Sequence, residues 1–206
     1  YVRKLGLGEP THVGRGGDPD GLVRSNADPN WTEVDLATNS FGQGIAATPL
    51  QVITAIGSIA NGGRLMRPYI VQEMDTPEGT RSFSPVVVRQ VMSEQTAATV
   101  TDMMNQVVEG NPGHLAAIKG YHVAGKTGTT TGATLADGTV RNGNVASFIG
   151  FAPVNDPKMI VLVKLDFKED RLGGQVSAPI FAGLAPSILA YLGVKPDGPQ
   201  LVATGP

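Results

Sequence analysis

GYHVAGKTGTT, residues 120–130, fits two incompatible patterns. Gly120-x-x-x-x-Gly125-Lys126-Thr127 matches the phosphate-binding loop G-x-x-x-x-G-K-[ST] letter for letter. That loop needs a preceding strand, a cradle of small residues and a helix that starts at the lysine, so that phosphates meet backbone N–H groups and the positive helix end. Here the wild-card positions hold Tyr121, His122, Val123 and Ala124. The lysine is followed by Thr127-Gly128-Thr129-Thr130-Thr131-Gly132, two glycines among threonines, which are poor helix formers. A nucleotide binder is therefore a remote alternative. Read instead as a strand over 121–130, the segment sends Lys126 and Gly128 to one side and Thr127 and Thr129 to the other. Gly128 leaves room for a neighbouring backbone. A cation, hydroxyls and free strand N–H groups along one edge suit an extended peptide that ends in a carboxylate. The same letters also fit an ordinary threonine-rich edge strand with a solvated lysine.

Moving outward, residues 144–152 and 158–167 read as two more strands, and Asn155-Asp156-Pro157 between them carries a turn signal. Strands joined by so short a connection must be antiparallel. Residues 175–192 read as a helix with Val176, Ile180, Leu184, Ile188 and Leu192 in one stripe, expected on a sheet face. Pro186 predicts a kink or break near Ala185. Upstream, residues 48–60 carry the best helix signals: Thr48 as N-cap, Pro49 at the first position, Gln51 completing a capping box, and Asn61-Gly62-Gly63 as the stop. Val52, Ile53, Ile56 and Ile59 are its expected apolar face. Residues 93–109 form another helix, with Ser93 as cap and Val100, Met103, Met104, Val107 and Val108 as its face. Segments 68–74 and 85–91 read as extended. Residues 8–31, rich in Gly, Pro, Asp and Asn, read as a long loop.

In order along the chain stand "SFGQGIAATPLQ" (40–51), "VAGKTGT" (123–129), "ASFIGFAP" (146–153), "GGQVSAPIF" (173–181) and "YLGV" (191–194). From Tyr1 to Val194 this set resembles the C-terminal part of the transpeptidase domain of class B penicillin-binding proteins. Lys126-Thr127-Gly128-Thr129 alone is shared with serine β-lactamases and D,D-carboxypeptidases. The Phe41-Gly42-Gln43-Gly44…Thr48-Pro49-Leu50-Gln51 run points to the class B enzymes. The resemblance implies an α+β fold, a mainly antiparallel sheet flanked by helices. It implies acyl transfer, in which a serine attacks a stem-peptide D-Ala–D-Ala bond and the acyl group passes to an amine. β-Lactam antibiotics acylate the same serine. In this chain Lys126 would then support the proton network and attract the substrate carboxylate. Thr127 and Thr129 would hydrogen-bond that carboxylate beside Gly128, and the Thr129 backbone N–H would complete the oxyanion hole. No cofactor is implied.

The family's Ser-x-x-Lys nucleophile motif is absent. Ser25, Ser40, Ser58, Ser82, Ser84, Ser93, Ser147, Ser177 and Ser187 all lack a lysine three residues on, and Ser-x-Asn is absent too. In the family both precede a stretch like Tyr1–Gly8. The expectation is a fragment: residues 1–194 as the C-terminal portion of a transpeptidase domain, incomplete because its N-terminal part is missing, and 195–206 as a Pro/Gly-rich tail. Such a chain would be inactive alone, would depend on the missing upstream half, and could self-associate through strand 158–167. A non-catalytic peptidoglycan- or protein-binding module is the alternative.

The totals agree with a folded chain. Of 206 residues, 41% are hydrophobic and 17% charged, and the net charge is −2, which excludes a disordered chain and gives no electrostatic case for nucleic acid. No apolar stretch is long enough to span a membrane. Cysteine is absent, which rules out disulfides and suits an extracytoplasmic location in the cell envelope, with any anchor further upstream. His12, His114 and His122 show no metal spacing. Ser147 reads as a packed strand residue, Asp166 with Glu169-Asp170 as a solvated turn, and Trp31 as a packing anchor.

Overall fold

The computed structural model describes residues 1–14, 18–111, 114–134, 140–169 and 171–198. The chain forms two compact units, Tyr1–Glu94 and Gln95–Pro206.

In the first unit, β1 (Leu22–Val23) pairs antiparallel with β2 (Ile45–Ala46), and α1 (Glu33–Asn39) lies between them in sequence. α2 (Pro49–Ala60) begins as its sequence dictates. Thr48 Oγ1 accepts from Gln51 N at 3.1 Å, and Gln51 Oε1 accepts from Thr48 N at 2.9 Å. It ends where Gly63 N donates to Ser58 O at 2.7 Å. Its buried face is not the expected one. Gln51, Ala55 and Ser58 are buried, whereas Val52, Ile53, Ile56 and Ile59 are only partly so. The reason lies in Gln51, 1% exposed, whose Nε2 donates to Glu9 O at 2.7 Å and Asp20 O at 2.8 Å. These bonds draw the 8–31 loop down onto the small-residue face.

β3 (Arg64–Arg67) follows and pairs with β6 (Val86–Gln90); β4 (Glu73–Thr76) and β5 (Gly79–Ser82) form a hairpin between them. The expected extended segment 68–74 is thus mostly a connection. Pro68 has no N–H to give to a ladder, so β3 stops before it. Leu65 and Val91 are buried.

The second unit opens with α3 (Glu94–Glu109) and continues with β7 (Ala124–Thr134), β8 (Val140–Ala152), β9 (Met159–Phe167) and α4 (Gly173–Tyr191). The three strands form one antiparallel sheet in the order β7-β8-β9. Both outer strands have a side with no strand partner among the described residues. In this register Thr127, Phe148 and Val163 share one face, and Lys126, Ile149 and Leu162 share the other. α4 packs on the first face. Phe148, Ala152, Met159 and Val163 meet Ala178, Phe181, Ala185 and Leu189 in the core, with Val108 of α3, Ala116, Ile118 and Val123. The Phe148 and Phe181 rings stand 5.0 Å apart at 58°, a tilted pair of favourable geometry.

Two further helices, besides α2, bury a face other than the expected one. On α3 the buried positions are Ala97, Thr101, Met104 and Val108, and Met103 is 62% exposed. On α4 the buried stripe is Gly173, Ser177, Ala178, Phe181, Ala185 and Leu189, while Ile180, Leu184 and Leu192 are exposed. Both α4 stripes climb in steps of four. The winning one has small side chains that let the helix axis approach the sheet, with one phenylalanine to fill the space. α4 is also continuous through Pro179 and Pro186, so no break occurs at Ala185.

Candidate active site

β7 begins at Ala124, three residues later than the sequence suggested, and runs through Lys126, Thr127, Gly128 and Thr129. No helix starts at Lys126. The nucleotide-binding alternative falls on this point, because a phosphate loop requires one there.

The faces of this strand decide what each residue can do. Lys126 is exposed, and its Nζ lies 3.0 Å from Thr127 O and 3.5 Å from Thr127 Oγ1. Gly128 lies on the same face as Lys126, above Ser147. A Cβ on Gly128 would come within 2.6 Å of Ser147 Oγ, and that hydroxyl donates weakly to Gly128 O at 3.4 Å. Ser147 is thus a packed strand residue. Thr127 and Thr129 turn toward the start of α4. Gly173 N donates to Thr129 Oγ1 at 3.3 Å, and a Cβ on Gly174 would touch Thr127 Cγ2 at 3.5 Å.

The start of α4 is held in place by a buried residue that the sequence did not flag. Asn144 Oδ1 accepts from Arg171 N at 3.1 Å, and Asn144 Nδ2 donates to Arg171 O. Two residues later Gly173 lies flat on the sheet. A Cβ there would overlap Ser147 O and come within 2.6 Å of Gly128 O. Only glycine fits so close an approach. The Gly173-Gly174 pair was a signal in the sequence, but nothing local said which strand it met.

The entry to β7 is held by α3. Asn105 Nδ2 donates to Val123 O at 2.9 Å, and Val123 N donates to Glu109 Oε1 at 3.1 Å. His122 Nδ1 lies 2.8 Å from Glu109 Oε2, so this histidine is engaged by a carboxylate of α3. His114 Nδ1 accepts from Ala116 N at 3.1 Å, and burial holds its pKa below the ordinary value of 6.5. His12 lies in the first unit with its backbone N donating to Asp18 Oδ2 at 2.6 Å. No group of three or more metal-ligating side chains occurs among the described residues. Asp166 pairs with Lys164 at 2.7 Å on the solvent side. Of the expected turn acids, Glu169 is exposed and Asp170 lies outside the described residues.

The arrangement is a free strand edge that presents an exposed ammonium, two hydroxyls and the backbone groups β8 does not use. Chemically this can receive a carboxylate-bearing extended chain and stabilise developing negative charge.

Comparison with known proteins identifies the family. A family model described as the penicillin binding protein transpeptidase domain matches residues 1–185. The chain is 35% identical over 209 residues to stage V sporulation protein D of Bacillus subtilis (strain 168), covering 98% of this chain and 31% of that protein. It is 34% identical over 198 residues to the peptidoglycan D,D-transpeptidase FtsI of Escherichia coli (strain K12), covering 94% and 32%. Among solved structures it superposes on the TP domain of Burkholderia pseudomallei penicillin-binding protein 3 with TM-score 0.78 at 32% identity, covering 96% of this chain and 58% of that one. It also superposes on Mycobacterium tuberculosis penicillin binding protein 3 complexed with ampicillin, with TM-score 0.81 at 29% identity, covering 100% and 48%. The chain spans about a third of the length of these curated relatives. On the family match and the superpositions together, the chain belongs to the penicillin-binding protein transpeptidase domain family.

Proposed function

We propose that this chain carries the substrate-carboxylate and oxyanion side of a serine-type peptidoglycan D,D-transpeptidase. The observation that carries the reading is the edge of β7, which has no strand partner on one side among the described residues and bears an exposed Lys126 beside Gly128 on one face and Thr127 and Thr129 on the other. A serine Oγ supplied from outside this sequence attacks the penultimate D-Ala carbonyl of a stem peptide. The Thr129 N–H stabilises the oxyanion. The C–N bond breaks, terminal D-Ala leaves with a proton, and an acceptor amine later takes the acyl group and restores the serine. Lys126 meets the terminal carboxylate and steadies the proton network, and Thr127 and Thr129 hydrogen-bond that carboxylate. A β-lactam, with its carboxylate and strained amide, occupies the same positions; the ampicillin complex of the mycobacterial relative supports this. The reaction belongs outside the cytoplasm, where peptidoglycan is cross-linked.

None of the nine serines here is followed by lysine at the third position. The chain by itself is therefore inactive, since loss of one member of a nucleophile–base unit removes most of the chemistry. A full-length polypeptide with no upstream Ser-x-x-Lys would instead favour a second reading, a non-catalytic peptidoglycan- or protein-binding module that uses the β7 edge. Incubation with a fluorescent penicillin separates the readings. The chain alone should give no boiling-resistant labelled band. A full-length polypeptide that contains it should label at a Ser-x-x-Lys serine. Label on a serine of this chain would overturn the proposal, and a full-length polypeptide without label would favour the binding module.

A further inference from the structure

Lys126 lies in the β7–β8 ladder, but the approach to it is held from outside the sheet. Among the described residues β7 has a strand partner only in β8, and Val123 precedes the ladder. Val123 is fully buried, so its amide and carbonyl both require partners. α3 supplies both: Asn105 to the carbonyl at 2.9 Å and Glu109 to the N–H at 3.1 Å. Positions 105 and 109 lie one turn apart and share a helix face. The helix thus does for Val123 what a neighbouring strand would do. His122 is drawn into the same grip. Its ring lies 2.9 and 2.8 Å from the two Glu109 oxygens, and its backbone N donates to Asp197 Oδ1 at 2.9 Å.

We infer that Asn105 and Glu109 are positioning residues for the Lys126–Thr129 segment, acting through the clamped Val123. The inference rests on the acyl-transfer reading above. Three extended residues span about 10 Å, and the stretch between clamp and lysine has no slack. Gly125 is pressed against β8: a Cβ there would come within 3.0 Å of Ile149 O and 3.1 Å of Phe148 Cε1. α3 is anchored by four buried positions, Ala97, Thr101, Met104 and Val108, so the helix that carries the clamp is fixed by no single one of them. The Glu109–His122 contact is about one-third exposed on each side, where solvent screens any Coulombic contribution. Its directional bonds to the backbone are what define a position.

The test is the second-order acylation rate with a fluorescent penicillin, measured well below the melting temperature in a full-length polypeptide that supplies the Ser-x-x-Lys serine. Asn105→Ala and Glu109→Ala should each slow acylation on the order of 10- to 100-fold, the scale of a misplaced reacting group. Glu109→Gln keeps an oxygen for the Val123 N–H and should stay within about 3-fold of the parent. Val108→Ala removes core methyl groups from the neighbouring position; it should lower the melting temperature and leave the rate at the parent value. If Val108→Ala slows acylation as much as the clamp variants do, the effect follows stability and the inference falls. Circular dichroism checks folding, and if Glu109→Ala does not fold, Asn105→Ala decides, a parental rate overturning the inference. Lys126→Ala separates the two levels. If it slows acylation while the clamp variants do not, the clamp alone is wrong. If it acylates at the parent rate, the acyl-transfer reading fails and the clamp inference with it.

Discussion

The Lys126 ammonium is exposed and makes its closest bond to the next residue's carbonyl, 3.0 Å away. Its removal leaves no cavity and no buried orphan. Lys126→Ala should therefore change stability by no more than about 0.5 kcal/mol, while acylation by a β-lactam in the full-length polypeptide should fall on the order of 100- to 1000-fold, as when a positioned electrostatic contact is deleted. Acylation rates set beside melting temperatures check both halves of that statement. Thr129→Val should cost less, because the backbone N–H survives and only the Oγ1 acceptor of Gly173 N and the hydroxyl donor are lost. His114 makes a pH prediction with a definite sign. Its folded-state pKa is lowered by burial, and its neutral Nδ1 accepts a backbone N–H. The unfolded chain therefore takes up the proton first as pH falls. The His114 contribution is complete above the ordinary pKa of 6.5 and is lost as pH drops toward the lower folded value. Urea midpoints measured between about pH 5 and 8 should decline toward acid. In His114→Asn, whose side-chain oxygen can still accept from Ala116 N, that part of the slope should vanish. An unchanged slope in the variant would assign the effect elsewhere.

Helix α2 shows what an element owes to one side chain. Gln51 closes the capping box and holds the 8–31 loop by the carbonyls of Glu9 and Asp20. Gln51→Ala should cost about 1 to 3 kcal/mol, the sum of a lost capping box and two lost hydrogen bonds to the Glu9 and Asp20 carbonyls, read as a lower melting temperature with faster proteolysis of the loop. Gln51→Glu should be at least as damaging, since it points a carboxylate at those carbonyls. The sequence made this helix legible because Thr48, Pro49 and Gln51 act locally. It made the three sheet strands legible for a similar reason: β8 alternates along its own length, and Lys126-Thr127-Gly128-Thr129 is a fixed set of letters. What it hid was set by distance of approach. α4 shows two stripes with the same four-residue step, and hydrophobicity favours Ile180 and Leu184 over the Ala178 and Ala185 that are buried. The β4–β5 hairpin escaped because its strands are solvent-exposed on both faces, which removes the alternation a half-buried strand displays; only Pro77-Glu78-Gly79 marked its turn. α1 carries a local signal too, the Thr32-x-x-Asp35 box, with Thr32 N donating to Asp35 Oδ2 at 2.7 Å. In the site, Lys126, Thr127, Gly128 and Thr129 could be named from the sequence. Asn105, Glu109, Asn144 and Gly173 could not, because each matters through a contact with a residue more than a dozen positions away.

At the scale of the whole chain, the sheet of the second unit has two open sides, and they differ in chemistry. The β7 side is lined by Lys126, glycine and threonine, which water solvates well. The β9 side is Met159-Ile160-Val161-Leu162-Val163 before its first charge at Lys164, and no strand covers it among the described residues. A long apolar edge is a template for pairing with another chain. Natural edges are blunted by inward or edge-facing charge, but here Lys164 and Asp166 neutralise each other at 2.7 Å and sit at one end of the strand. The chain by itself should therefore self-associate as concentration rises. Leu162→Lys should suppress this, because residue 162 lies mid-strand on the face opposite α4, where a lysine can reach water without disturbing the Phe148–Phe181 core. Thr129→Pro, which removes an outward N–H from the β7 side instead, should leave the association unchanged. Light scattering over a concentration series reads all three chains. A parent that stays monomeric at high concentration would show that the β9 edge is already protected. Association abolished by Thr129→Pro and not by Leu162→Lys would move the contact to the strand that bears Lys126.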